Sequence, residues 1–368
     1  MTRVLAVRLD SDGDVLLTGP AVRALAATAG TLDVLASPAG AGAAALLPGV
    51  ADVLVFDPPW SGYAPPAVDA AAVEDLVATL RARRYDRAVV FTSFHQSPLP
   101  AALVLRLAGV AFVAGTSADY PGSLLDVRHH RPDGLHEVEA ALDLAVAAGG
   151  ALPHGDAGRL AVRRPLPDLA DALPAGALAQ VGGGYVVVHP GASVPARAPA
   201  PDHARAVAAA LAGAGRTVLV TGGPRERELA AHVAAGTPRV VDVAGRTSLA
   251  GLAAVLAGAQ AVVVGNTGPA HLAAAVGAPV VSLFSPVVPA DRWAPWGVPS
   301  VVLGDQQAAC AGSRARECPV PGHPCLSAVT PARVMAAVDA LAVTAVPAAE
   351  HPVGPVADVP AAPQEVVA

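Results

Sequence analysis

Short apolar runs recur along this chain, each separated from the next by an Ala-rich stretch of helical length. In the first half they are 3–9 (RVLAVRL), 32–36 (LDVLA), 52–56 (DVLVF), 87–92 (RAVVFT) and 110–115 (VAFVAG). The clearest helical stretches among them are 68–84 and 134–148. A strand covered on both faces reads as a near-continuous apolar run, and parallel neighbours need a crossover of a dozen or more residues. The alternation therefore predicts βαβ units and a parallel sheet.

The pattern lapses in the Pro- and Gly-rich segment 151–184 and then restarts. The second series is 185–190 (YVVVHP), 216–223, 238–245, 259–266 and 278–284, with helices expected at 202–214, 225–235, 248–257 and 331–343. We therefore expect an α/β protein of two doubly wound halves, 1–150 and 185–345, joined by a linker at 151–184 and facing each other across a cleft. The Pro/Ala/Val-rich tail, 346–368, lacks periodicity and is expected to be disordered.

Hydrophobic residues make up 53% and charged residues 15% of the chain, and the mean hydropathy is +0.49. A membrane protein is nevertheless not the expectation, because no uninterrupted apolar run reaches about 18 residues. The opening MTRVLAVRLDSDGD does not resemble a secretory signal. A formal charge of -6 argues against a nucleic-acid partner. The three cysteines, all between Cys310 and Cys325, do not make a disulfide scaffold. A cytoplasmic protein is expected.

Polar breaks follow three of the strands, where open α/β sheets bind ligands. After AVVV, the run Asn266, Thr267, Gly268, Pro269 and His271 opens a helix. Proline suits the first helical position, and the remaining first-turn N–H groups favour an anion such as a diphosphate. His271 adds a further donor there. After VVVHPG come Ser193 and Arg197, and a guanidinium offers a planar fork to phosphate oxygens. After the first strand, Asp10, Asp12 and Asp14 crowd a turn with Gly13. A carboxylate at a helix start is favoured in its ionised form, so Asp14 can serve as a general base or simply cap the helix.

Other signals are weaker. TGGPRERE follows a strand but lacks G-x-G-x-x-G, and leaves Glu226 as a candidate ribose contact. Neither an NAD fingerprint nor a P-loop is found. Cys310, Cys318, His323 and Cys325 nominally suffice for zinc, yet their gaps do not match the paired C-x₂₋₄-C spacing. A loop with reduced thiols is expected instead. Trp293 and Trp296 read as loop-packing aromatics.

Taken in order, GDVLLTGPAVRAL, HPGAS…AR and GNTGPAHLAAAVGAPVVSLFSP…DRWAPWG resemble glycosyltransferase family 9, the ADP-heptose:lipopolysaccharide heptosyltransferases. The resemblance runs from about residue 3 to 343. It implies a GT-B fold whose first half receives the acceptor and whose second half holds a nucleotide-diphosphate sugar. It also implies inverting transfer with no cofactor and no required metal. By position, Asp14 matches the catalytic base and Arg197 a phosphate-contacting Lys. Asn266, Thr267, Gly268 and His271 match the donor-binding Asp-Thr-Gly…His loop. Asn266 departs from the usual Asp, and Pro199 stands where the family has Trp.

The expected partners are a nucleotide-diphosphate sugar and a glycan or glycolipid acceptor. A lipid acceptor would imply peripheral membrane contact, although no basic amphipathic helix supports it. Two other readings are a GT-B sugar-nucleotide epimerase, for which no acid/base pair stands out, and a non-catalytic nucleotide-sugar binder, suggested by Asn266.

Overall fold

In the computed structural model, which describes residues 2–62 and 64–344, the apolar runs pair in parallel as two separate sheets. The first half carries β1 (Arg3–Arg8), α1 (Asp12–Ala26), β2 (Thr31–Ala36), α2 (Ala41–Leu46), β3 (Val53–Val55) and α3 (Ala70–Arg83). It continues with β4 (Arg87–Val90), α4 (Leu99–Leu107), β5 (Phe112–Thr116), β6 (Val127–His129) and α5 (Glu137–Ala147). Two short helices follow, α6 (Leu169–Ala172) and α7 (Ala175–Leu178).

The second half carries β7 (Tyr185–His189), α8 (Pro201–Gly213), β8 (Thr217–Val220), α9 (Arg227–Ala234), β9 (Val240–Asp242) and α10 (Leu249–Ala257). Then come β10 (Ala261–Gly265), α11 (Gly268–Val276), β11 (Val280–Leu283) and α12 (Ala290–Trp293). The described chain ends with β12 (Ser300–Leu303), α13 (Pro324–Ser327) and α14 (Pro331–Thr344). The tail expected to be disordered lies outside the described residues.

The first sheet is ordered β3-β2-β1-β4-β5-β6, and the second, read from its far edge, β9-β8-β7-β10-β11-β12. Each half therefore has the order 3-2-1-4-5-6, and each sheet reverses its winding between its first and fourth strands. Two edge strands escaped sequence reading. β6 (VRH) contains one apolar residue, and β12 (SVVL) is largely exposed at its sheet edge. The four inner strands of the second sheet, β8, β7, β10 and β11, are buried throughout.

One apolar cluster joins the halves. It contains Val15, Leu16 and Leu17 of α1 together with Ala270, Leu272 and Ala273 of α11. Segment 151–184, read from composition as a linker, belongs to the same cluster through Leu160, Val162, Leu173, Ala177 and Val181. It is also bonded to both halves: Arg163 Nε donates to Leu47 O (3.0 Å) and Arg164 Nη2 to Val276 O (3.4 Å). Its scattered apolar residues pack although its Pro and Gly break any period. Separate clusters cover the outer face of each sheet.

Candidate active site

The two reversal points lie opposite each other, and α1 and α11 both begin there. Their N-termini meet without a side chain between them. A Cβ on Gly13 would stand 3.1 Å from Gly268 Cα and 3.2 Å from His271 Cδ2. Neither start is capped by a side chain. Thr267 makes no cap bond, and Ser11 turns its Oγ to donate to Asp14 Oδ2 (2.9 Å). The partial positive charge of both helix ends is thus left facing the cleft.

Between the halves lies a cavity of about 500 Å³ that Asp14, Ser193, Arg197, Asn266, Thr267, Gly268 and His271 all line. Residues far apart in sequence are brought together as expected. Glu226 is not among the lining residues. Its Oε2 accepts from Gly223 N (2.6 Å) and lies 3.8 Å from the buried His189 Nε2.

Asp14 is held by a residue that sequence reading passed over. Arg8, at the end of β1 and only 4% exposed, places Nη2 3.2 Å from Asp14 Oδ1 and Nε 3.0 Å from Asp10 Oδ2. The same Nη2 donates to Ser93 Oγ (2.9 Å). Asp10 also accepts from Gln96 Nε2 (2.6 Å). Burial pushes the Asp10 carboxyl upward, and the Arg8 guanidinium opposes that rise. An Arg directly after the core residues Val4–Val7 was the available signal: VRLD places a cation where the sheet has no solvent.

Across the cavity, His271 is 5% exposed, and burial pulls its pKa down to about 4. It is therefore a neutral imidazole, and its buried Nδ1 has no partner. Arg197 is likewise desolvated, with a buried and unpartnered Nε, and the nearby Asp14 charge favours its protonated form. Asn266 does not cap α11. Its Oδ1 accepts from Ser285 N (3.2 Å) while Nδ2 donates to Ser285 O (3.3 Å), tying the turn after β10 to the turn after β11.

A second cavity of about 440 Å³ lies in the first half and shares Asp14, Ser93, Phe94, His95 and Gln96 with the first. Thr18, Ser117, His130, Arg131 and Arg292 also line it. The halves touch at its rim. Phe94 packs against Trp293 (centroids 5.8 Å apart), and His136 stacks on Trp296 (4.6 Å) while its Nε2 lies 3.0 Å from Ala294 O. Trp293, at the end of α12, and Trp296, in the loop after it, thus act as packing aromatics between the halves.

The cysteine loop closes the same site from another side. Ala196 N donates to Arg316 O (2.9 Å), Gly312 N to Pro286 O (2.8 Å) and Arg314 N to Val287 O (2.7 Å). All three cysteines are free, and burial pushes the Cys325 thiol up to about 11. Among the described residues, no three His, Cys, Asp or Glu side chains converge as a metal site. No helix of the described residues is long and apolar enough to cross a membrane.

Known proteins share this architecture. The family model of glycosyltransferase family 9 (heptosyltransferase) matches residues 73–323. Lipopolysaccharide heptosyltransferase 1 of Pseudomonas aeruginosa is 48% identical over 86 residues, 23% of this chain and 24% of its own length. Lipopolysaccharide heptosyltransferase 3 of Escherichia coli is 36% identical over 124 residues, 32% of this chain and 36% of its own length. The chain thus matches only about a quarter to a third of these curated relatives' length.

Among solved structures, E. coli ADP-heptose lps heptosyltransferase II aligns with a TM-score of 0.70 at 22% identity, covering 93% of this chain and 99% of that one. A family 9 glycosyl transferase from Veillonella parvula gives 0.75 at 15% identity over 94% and 98%. E. coli heptosyltransferase WaaC with ADP gives 0.65 at 23% over 92% and 100%. The shared fold is GT-B. With a family model spanning more than half of its length, this chain belongs to glycosyltransferase family 9.

Proposed function

We propose that this protein moves a sugar, heptose-type by its family, from a nucleotide-diphosphate donor to a hydroxyl of a glycan or lipopolysaccharide-core-like acceptor. Transfer is inverting and needs no metal ion. The observation that carries this reading is the cavity in which an ionisable carboxylate, Asp14, faces an uncapped helix start, a buried unpartnered His271 Nδ1 and a buried unpartnered Arg197 Nε. Buried donors without acceptors cost free energy unless a ligand satisfies them. In this reading an anionic diphosphate does so for Arg197 Nε, and for His271 in the tautomer that carries its proton on Nδ1.

In this reading the acceptor oxygen attacks the anomeric carbon from the face opposite the diphosphate, and Asp14 takes the proton. The bond from that carbon to the diphosphate oxygen breaks, and its electron pair leaves with the diphosphate. Gly268 N–H, His271 and Arg197 meet the growing charge, and such preorganised groups usually supply the largest catalytic term. His271 acts as a neutral donor. The second cavity, which also touches Asp14, receives the acceptor. The relatives' heptosyltransferase names support heptose, and the WaaC complex with ADP supports an adenine nucleotide.

The uncharged Asn266 gives a binding-only protein no particular support, because its amide is occupied by the Ser285 backbone. The experiment is to incubate the protein with ADP-heptose and candidate acceptors and measure ADP release and glycosylated product. The Asp14→Ala variant should bind ADP and make no product. Turnover retained in that variant would remove Asp14 from the role of base.

A further inference from the structure

Two guanidiniums rest on one aromatic ring and on no carboxylate. Arg292 Cζ lies 4.6 Å from the Phe94 ring centroid and Arg314 Cζ lies 5.7 Å from it. Among the described residues neither arginine forms an ion pair. Phe94 comes from the loop after β4 in the first half, whereas both arginines come from the second. Phe94 lines both cavities, Arg314 the one between the halves, and Arg292 the one within the first half.

Arg314 is held there with some effort. Its backbone sits at φ 57°, a left-handed conformation that glycine adopts at less cost. The hydrogen bonds of Gly312 and Arg314 to the turn after β11, and of Arg316 to the turn after β7, pin the segment over the cavity. A non-glycine residue kept in that conformation beside a cleft suggests that its side chain is needed. An aromatic face can hold a guanidinium without occupying its N–H groups, so the whole fork remains for phosphate oxygens.

We propose that Phe94 is a positioning residue that holds the Arg314 guanidinium across the cleft, where it binds the diphosphate of the nucleotide. Affinity for the donor then depends on a side chain of the opposite half, and the cysteine loop is part of the donor site. This inference rests on the donor-site assignment above.

The test is calorimetric titration of the full chain with ADP and with inorganic pyrophosphate. Arg314→Ala should weaken both by about tenfold, as expected for a charge-assisted hydrogen bond. Phe94→Leu should weaken both by about two- to fivefold, the range of an exposed cation–π contact. Phe94→Tyr should bind like the wild type, and Phe94→Leu should cost nothing further once Arg314 is already Ala. Equal losses with and without Arg314 would overturn the proposal, since Phe94 would then only shape its loop. So would an Arg314→Ala variant that binds as well as wild type. A wild-type chain that takes up neither probe overturns the donor site along with it, whereas wild-type binding that Phe94→Leu leaves unchanged overturns this inference alone.

Discussion

Gly13 and Gly268 bring two helix starts into backbone contact: a Cβ on the first would stand 3.1 Å from the Cα of the second. This contact sets the distance between the carboxylate of Asp14, three residues after the Ser11 cap of α1, and the amide groups opening α11. Both glycines precede the side chains that matter, Asp14 on α1 and His271 on α11. The approach of the halves is therefore a backbone property before it is a side-chain one.

A Gly13→Val substitution should separate these helix starts. Overpacking a close contact costs about 1–3 kcal/mol. We expect that loss in denaturant unfolding, together with a fall in transfer larger than the fall in stability would produce. Wild-type turnover in a folded Gly13→Val variant would show that the spacing is not critical.

Removing Arg8 should unfold the protein more readily than a surface arginine would. Arg8→Met leaves the buried Asp10 carboxylate without its cation, and breaking a buried pair on one side costs about 3–5 kcal/mol. Arg8→Lys should recover part of this loss. Urea midpoints of the two variants decide the matter; indistinguishable midpoints would argue against the shared guanidinium.

The pH dependence follows from His271. Its folded pKa is depressed to about 4, so the folded state binds fewer protons than the unfolded chain between that value and the ordinary 6.5. The stability from burying the neutral ring is fully present above about pH 6.5 and is lost as the pH falls towards 4. A fall from 6.5 to about 4 corresponds to about 3 kcal/mol. His136, also depressed by burial, adds in the same direction. A His271→Gln variant should show a shallower loss of urea midpoint between pH 7 and 4 than the wild type, and an equal slope would refute the assignment.

Arg197→Ala should weaken nucleotide diphosphate binding and slow transfer. Removing one preorganised donor to a developing charge typically costs about 2.7–4 kcal/mol of barrier. Steady-state rates at saturating donor separate the two effects. Unchanged binding and unchanged rate together would take Arg197 out of the phosphate site.

The turns that carry Asp14, Arg197 and Asn266–His271 are readable because each follows an apolar run that has to be a strand, and ligand sites lie at such strand ends. Asn266 shows the limit of that reading. It lines the cavity, but its amide is paired with the backbone of Ser285, nineteen residues on, and does not cap the helix. Glu226, the candidate ribose contact, accepts from Gly223 N through Oε2 and is not among the residues that line the cavity. Arg8 was legible only as a cation at the end of an apolar strand, and Phe94, Arg292 and Arg314 were not legible at all, because nothing in their local sequence says which of them meet.

From residue order alone come the two parallel sheets, the strand ends that bear polar turns and the charged residues Asp14 and Arg197 at those ends, because apolar periodicity and helix-start chemistry act over a few neighbouring positions. Only the folded chain decided that segment 151–184 packs into the core the halves share, that Arg8 is shared by two carboxylates, and that a phenylalanine of one half carries two arginines of the other. These depend on crossover connections that bring residues about 200 positions apart to one cleft, and no local pattern records such distances.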